Sequence, residues 1–262
     1  MQFDKYFLYF LIYAVIGYIC EVSYCTIINK HLTNRGFLHG PYLPIYGFGA
    51  LLVVIPLMYF NANPILVFFI AVLLTSSLEY MTSFFLEKIF KSKLWDYSKN
   101  FGNIHGRICL LNSTLFGMMG LAATYWLHPV LVRSVSYIPD GVLHSLSGML
   151  LLGITIDATS SIIRMSTFQK QLAEFRIRVR ELETRLELLA KQNATPSLES
   201  LRGRLNNELE ELKIRLNKRS RWIIDAFPSI TAKNEEKRLQ LELLKMNVRS
   251  YREKMKGQRK SR

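Results

Sequence analysis

Three acidic residues lie inside apolar stretches of this sequence, namely Glu21, Glu79 and Asp157. A charged side chain within hydrocarbon costs about 3 kcal/mol, so such residues are usually paired or functional. Arg107 and Asn112 lie near the start of a fourth apolar stretch. Carboxylates facing one arginine would suit proton or cation handling in a polar cavity open to the cytoplasm. They would equally suit interhelical salt bridges, for example of Arg107 with Glu21 or Glu79, that only fix the packing.

Two loops supply further candidates. Residues 35–50 read RGFLHGPYLPIYGFGA, and their glycines and prolines prevent a regular helix. Arg35 and His39 could contact a phosphate or carboxylate, so this segment is either a re-entrant loop lining a cavity or a rigid connector between helices. The second loop lies between the third and fourth apolar stretches, and its Asp96 is a candidate for a headgroup or substrate contact. The candidate polar or substrate site therefore comprises Glu21, Arg35, His39, Glu79, Asp96, Arg107, Asn112 and Asp157.

The elements that position these residues are membrane helices. A helix needs about 20 mostly apolar residues to cross the hydrocarbon, and five stretches come close to this length. The second is short and contains Pro56, so we expect it to tilt, kink or be partly re-entrant. Turn residues separate the stretches, including His128-Pro129. The predicted spans are residues 6–28, 43–60, 64–87, 107–127 and 141–163.

The distribution of basic residues predicts the orientation of these spans. Lys and Arg are concentrated in the loops after the first and third spans and in the segment after the fifth, whereas the other two loops are poor in them. Cytoplasmic loops carry the excess of Lys and Arg, so the N-terminus is predicted outside and the C-terminus in the cytoplasm. In this orientation the three acids lie about 10 Å inside the cytoplasmic boundary, where we expect them to cluster with Arg107.

The part after the spans has a different composition. Of the 34 Lys and Arg residues, 24 lie after residue 164 and make residues 165–262 strongly basic. From Phe168 to Leu189, apolar residues recur at alternating steps of four and three, which is a heptad seam. We predict helices at about 166–192, 198–220 and 233–255, arranged as a cytoplasmic coiled coil or helical hairpin. Their basic residues suit anionic lipid headgroups, and interleaved acids argue against nucleic-acid binding.

Five motifs resemble a known family. They are GYICEVSY at 17–24, RGFLHGPYLPIYGFG at 35–49, LEYMTSFFLEKIF at 78–90, LWDYS at 94–98 and NIHGRICLLNSTLFGMMG at 103–120. They resemble the bacterial family of putative ABC-transporter type IV proteins, also called CmpB-type ABC transporter permeases. The resemblance implies a transporter subunit, and it puts Glu21, Arg35, Glu79, Asp96, Arg107 and Asn112 on the family's pattern.

The sequence thus predicts an all-α polytopic membrane bundle of about five transmembrane helices followed by a helical cytoplasmic tail. The first functional hypothesis is a transporter permease in a bacterial plasma membrane, with a cytoplasm-facing polar site. A second is a membrane scaffold that recruits partners through its coiled-coil tail. A lipid-directed intramembrane enzyme ranks last, because no nucleophile constellation supports it and the three cysteines have no metal-ligand spacing.

We therefore expect no catalysis, cofactor or metal. The sequence lacks the GxxxxGK[ST] loop that cradles nucleotide phosphates, so an ATPase would have to be a separate chain. The expected partners are the lipid bilayer, that ATPase or another membrane subunit, and a second copy of this chain bound through the tail.

Overall fold

A computed structural model describes most of the chain, and its described residues fall into two compact units. The first unit comprises Met1–Ser161 and Asp225–Asn234, and the second comprises Ile162–Ile224 and Glu235–Arg262. The described residues are 2–29, 36–57, 63–190, 199–201, 203–205, 207–208, 211, 222–235, 237–239, 241–242 and 244–246.

Helices form almost all of the described structure. The elements are α1 (Gln2–Asn29), α2 (Pro44–Leu57), α3 (Pro64–Phe90), α4 (Leu110–Ala122), a π-helical turn (Ala123–Leu127), α5 (His128–Ser136) and α6 (Asp140–Ala190). Four segments of the described chain are long and apolar enough to cross a membrane: Gln2–Ile27, Pro64–Phe90, Leu110–Ser136 and Asp140–Leu182. The prediction of a helical membrane bundle is confirmed.

The second predicted span, 43–60, is the exception. Helix α2 has 14 residues, which corresponds to about 21 Å, and residues 58–60 lie outside the described residues. The helix begins inside the bundle, because the Leu43 amide donates a hydrogen bond to the Ala14 carbonyl in the middle of α1. The described bundle therefore combines four long helices with one shorter apolar helix at the place of the second predicted span.

The expected break at His128-Pro129 is wrong. Proline has no amide hydrogen, and its ring clashes with the carbonyl four residues earlier. The π-helical turn Ala123–Leu127 widens the helix just before Pro129 and accommodates the ring without ending the helical path. The fourth span therefore runs from Leu110 to Ser136 instead of from 107 to 127.

The fifth predicted span and the first predicted tail helix are parts of one helix. Helix α6 continues without interruption for 51 residues. Residues 154–190 contain neither Gly nor Pro, so the change from apolar to basic composition near residue 164 provides no signal that stops a helix.

Small residues allow α3 and α4 to approach each other closely. A Cβ atom on Gly120 would lie 2.4 Å from the Cβ of Ala71, and one on Gly117 would lie 2.6 Å from Phe68. Nearby, the Ser76 hydroxyl donates to Ser113 at 2.8 Å. Close backbone approach and hydroxyl contacts are typical of helix association in membranes. This pair of antiparallel helices forms one wall of the bundle.

In the second unit, the predicted heptad seam is the buried face of α6. Phe168, Leu172 and Leu182 are buried, whereas Ile177, off the seam, is 68% exposed. Leu189 lies outside the described side chains. The described residues within 199–211 and 235–246 are helical, and the break predicted at 193–197 lies outside the described residues. Association of tails between copies stays a prediction.

Candidate functional site

Asp157 of α6 holds the loop formed by residues 36–43. Its Oδ1 accepts hydrogen bonds from the backbone amide of His39 at 3.0 Å and lies 2.8 Å from His39 Nδ1. Its Oδ2 accepts from the Gly40 amide at 2.9 Å and from the Tyr42 hydroxyl at 2.6 Å. The Ser161 hydroxyl, one turn along α6, lies 3.0 Å from His39 Nδ1. The carboxylate thus fixes the loop at three positions, His39, Gly40 and Tyr42.

The height of this loop in the bundle follows from the register of α1 and α6. The Ser147 hydroxyl donates to Asp4 at 2.6 Å, which puts these residues at one level. Both helices rise about 1.5 Å per residue, so Ala14 and Asp157, each ten residues further along, also share a level. The loop contacts both of them. It therefore reaches deep into the bundle, which favours a re-entrant loop over a simple connector.

Glu21 and Glu79 form a second polar group. The Tyr46 hydroxyl donates to Glu21 Oε2 at 2.8 Å, and Glu21 lies close enough to Glu79 for the two carboxylates to repel each other. Glu79 is only 4% exposed, and it accepts a hydrogen bond from Tyr97. Its Oε2 atom has no hydrogen-bond partner among the described residues. These two acids lie near each other, and one oxygen of Glu79 is unsatisfied within the described part of the chain.

A cavity of about 240 Å³ lies between α1, α2, α3 and α4. Its walls are mainly aliphatic and aromatic, and Glu79 is the one acidic residue among the residues that line it. Gly17 and Gly120 in its walls allow close packing around it, because a Cβ atom on either would collide with Tyr46 or Ala71. Residues that represent each wall are Gly17, Tyr46, Gly49, Glu79, Phe116 and Gly120.

The connection between α3 and α4 is a closely hydrogen-bonded loop. Asp96 Oδ1 accepts from the Ser98 amide at 3.2 Å, and the Tyr97 amide donates to the Gly106 carbonyl at 2.8 Å. The Trp95 indole donates to the Arg107 carbonyl at 3.0 Å. Asp96 therefore caps a turn of this loop, a structural contact that accounts for the carboxylate without a ligand.

Arg107 has a partner that the sequence analysis missed. Its Nη2 atom donates to Glu87 Oε2 at 2.6 Å, and both side chains are buried. The guanidinium also lies over the rings of Tyr80, at 5.2 Å from the centroid, and Phe84, at 5.5 Å. Lys233 Nζ lies 3.5 Å from the other oxygen of Glu87.

Arg107 therefore does not have the ion-pair partner that the sequence analysis suggested. Among the described residues, Asp157 and Arg107 share no ion pair, and Arg107 pairs with Glu87 in place of Glu21 or Glu79. The predicted span stopped at residue 87, which made Glu87 look like a boundary residue, whereas α3 extends to Phe90. The sequence did contain one sign that Glu87 is buried. Glu79 and Glu87 are about two turns apart on α3, so they lie on the same face of the helix, and both face the bundle.

Two predicted site residues, Arg35 and Asn112, remain to be located. Arg35 lies outside the described residues. Asn112 is half-buried near the start of α4, and its neighbour Ser113 makes the contact to α3. Three tyrosines, Tyr42, Tyr46 and Tyr97, bind the buried carboxylates and were not singled out as site residues. The described residues contain no group of three or more acidic, histidine or cysteine residues arranged to hold a metal.

A segment from the basic region packs on this connecting loop. The Lys93 amide donates to the Thr231 carbonyl at 2.8 Å, and the Thr231 amide donates to the Lys93 carbonyl at 2.9 Å. These reciprocal bonds form an antiparallel bridge. Residues 225–234, which were expected to belong to the tail, are therefore part of the first unit.

Comparison with known proteins gives one result. The family model described as "putative ABC-transporter type IV" matches residues 8–162, which extend from the first part of α1 to the middle of α6. No curated protein and no solved structure matches the chain.

Proposed function

This chain belongs to the putative ABC-transporter type IV family, and from this premise we propose that it is a permease-type membrane subunit of a transporter. The family and the four long apolar helices together make it a multi-pass membrane protein with a transporter-related role. The permease assignment and the position of its substrate site are our inference from the bundle.

The cavity at Glu79 is the observation that carries this proposal. A bundle that served only as an anchor would gain from filling such a space with side chains, because cavities in a packed core cost stability. Here the space is left unfilled and contains a buried carboxylate whose Oε2 atom has no hydrogen-bond partner among the described residues. Tyr97 connects this carboxylate to the loop between α3 and α4. In the proposed orientation that loop is cytoplasmic, so the site faces the cytoplasm.

The energy source is assigned to another chain. The sequence has no phosphate-binding GxxxxGK[ST] loop, so ATP hydrolysis would belong to a separate ATPase subunit, and we propose no catalytic step, cofactor or metal for this chain. We place it in a bacterial plasma membrane with its N-terminus outside and its C-terminus in the cytoplasm, because basic residues concentrate in alternate loops. A second copy of the chain, bound through the tail, is a further proposed partner, and nucleic acid is not.

A membrane scaffold is the alternative, and one observation favours it. Helix α6 extends to Ala190, and beyond the apolar stretch its seam residues Phe168 and Leu172 are buried. Because this seam is already covered within the chain, the surface that would recruit partners is that of the folded tail, which the seam holds together.

Purification of the tagged full-length chain from native membranes tests both candidates. A permease is expected to carry a nucleotide-binding chain with it and to show ATPase activity that the isolated chain lacks. Leu172→Asp, which places a charge in the seam, should leave this ATPase bound if the membrane helices hold it. Ile177→Asp, on the exposed face of the same helix, is the matched control. Recovery of partners without any ATPase, and their loss in Leu172→Asp alone, would favour the scaffold.

A further inference from the structure

We propose that the cavity lined by α1, α2, α3 and α4 binds a small lipophilic organic cation, with its ammonium group at Glu79. The inference deepens the proposed function by naming the class of substrate, and it rests on that function only for the idea that the bound molecule is transported. Binding itself is a property of this chain and is tested separately.

The negative charge in the cavity favours a positively charged ligand. Glu79 is 4% exposed, and its Oε2 atom has no hydrogen-bond partner among the described residues. Glu21 adds a second negative group nearby, while the described residues that line the cavity include no Lys, Arg or His. A buried carboxylate left without a partner is costly, and an ammonium group would supply both the missing hydrogen bond and the opposite charge.

The walls determine the rest of the ligand. Away from Glu79 the cavity is bounded by apolar side chains such as Ile16, Ile45, Phe116 and Met119. Its volume of about 240 Å³ exceeds the roughly 150 Å³ that holds benzene in an engineered apolar cavity. There is thus room for one aromatic ring with a short alkyl chain, and the apolar walls would exclude a strongly hydrated solute.

An inorganic cation fits this cavity poorly. Hard cations such as Ca²⁺ require six to eight oxygen ligands, and the oxygen-bearing side chains here are few. The Tyr46 hydroxyl is already engaged with Glu21, and the Thr75 hydroxyl donates to the carbonyl of Ala71 in its own helix. An organic cation needs only one such contact, because its apolar part supplies the remaining binding energy.

Three probes of similar shape and different charge test the proposal. We would measure the binding of 4-phenylbutylamine, 4-phenylbutanol and 4-phenylbutyrate to the full-length protein in lipid nanodiscs by equilibrium dialysis, with empty nanodiscs subtracted. The amine should bind most tightly and the carboxylate least. Glu79→Gln should weaken the amine at least about tenfold, because a buried charge pair is lost, and should leave the alcohol nearly unchanged.

Two glycine variants keep the test decisive. A Cβ atom on Gly49 would be in ordinary contact distance, 3.7 Å from Leu78, so Gly49→Leu should fold, fill the cavity and abolish binding of the amine. Gly153→Leu is the matched control, because a Cβ atom there meets nothing within 4 Å. Equal binding of amine and alcohol, or an unchanged amine affinity in Glu79→Gln, would mean that the cavity holds a neutral chain such as a lipid tail, and would overturn the proposal. Neither result would affect the test for an associated ATPase.

Discussion

The Leu43 amide donates a hydrogen bond to the Ala14 carbonyl over 2.9 Å, at the level where Asp157 of α6 binds the same loop. A backbone bond to α1 and a carboxylate contact to α6 thus fix residues 36–43 from two sides. The loop thus bridges α1 and α6. The register of these two helices is set ten residues earlier in each, where Ser147 donates to Asp4. Gly40 is needed for its missing side chain, since a Cβ atom there would collide with the ring of Tyr42, whose hydroxyl donates to the same carboxylate.

Neutralising Asp157 should therefore loosen the loop and destabilise the bundle. Asp157→Asn removes the charge that strengthens the bonds from His39, Gly40 and Tyr42, and we expect a loss of about 2 kcal/mol. In a chain of this size that corresponds to a lower melting temperature by about 4–8 °C, measured on the detergent-solubilised protein. Ser145→Ala is the control, because this exposed hydroxyl donates to the carbonyl of Gly141 in its own helix. Equal melting temperatures for the two variants would contradict the anchoring role.

Arg107→Ala should reduce stability by about 3–5 kcal/mol, because it leaves Glu87 buried beside a vacated cation site. Adding Glu87→Gln should restore part of this loss, since the uncompensated charge is then gone. Lys233 retains a weaker contact to Glu87 at 3.5 Å, so the single variant should still fold. Folded yield and melting temperature of the three proteins provide the measurement. Restoration by Glu79→Gln in place of Glu87→Gln would show that the pairing is assigned wrongly.

The sequence allowed the acids to be found but did not allow their partners to be assigned. Charged residues within apolar stretches stand out without any structure, which is how Glu21, Glu79 and Asp157 were identified. The choice between Glu79 and Glu87 for Arg107 depends on where α3 ends, and a shift of three residues changes the answer. Asp157 has backbone amides as its main donors, and their positions depend on a loop conformation that residue types alone do not determine.

The helices, like the acids, could be predicted only in part. Hydropathy located all the apolar stretches, because bilayer thickness requires a minimum length. Pro129 was interpreted as a break, yet a π-helical turn absorbs it, and proline chemistry alone does not distinguish the two outcomes. Residues 225–234 pack in the first unit through the backbone pairing of Thr231 with Lys93. These two residues are far apart in the sequence, and nothing in their residue types predicts that they pair.

Cysteine labelling should confirm the proposed orientation. In a background with Cys20, Cys25 and Cys109 replaced by serine, a membrane-impermeant maleimide added to intact cells should label Ser136→Cys. It should not label Lys99→Cys unless the membrane is permeabilised. Both positions are exposed, so a difference in labelling reports the side of the membrane and not burial. Labelling of Lys99→Cys in intact cells would reverse the orientation.

The seam of α6 should be sensitive to charge, and the opposite face should not be. Leu182 is 5% exposed, whereas Ile177 is 68% exposed. Leu182→Asp buries a carboxylate without a partner, at a cost of several kcal/mol, and should make the tail of the full-length protein susceptible to limited proteolysis. Ile177→Asp should leave the cleavage pattern unchanged. Equal protection of the two variants would mean that Leu182 is not held in a stable apolar contact.

The bridge between Lys93 and Thr231 gives the last prediction. Thr231→Pro removes the amide that donates to the Lys93 carbonyl, so residues 225–234 should detach from the connecting loop. Ser92, the neighbour of Lys93, is fully buried, and its exposure reports this change.

In the background without native cysteines, Ser92→Cys should react slowly with maleimide in the detergent-solubilised protein and about tenfold faster when combined with Thr231→Pro, because opening that costs 1.4 kcal/mol less is about tenfold more frequent. Thr231→Ala is the matched control, since it keeps both backbone bonds and should leave the rate low. An unchanged melting temperature would show that the faster reaction comes from local release and not from unfolding. Equal rates in the proline and alanine variants would show that this bridge does not hold the segment in place.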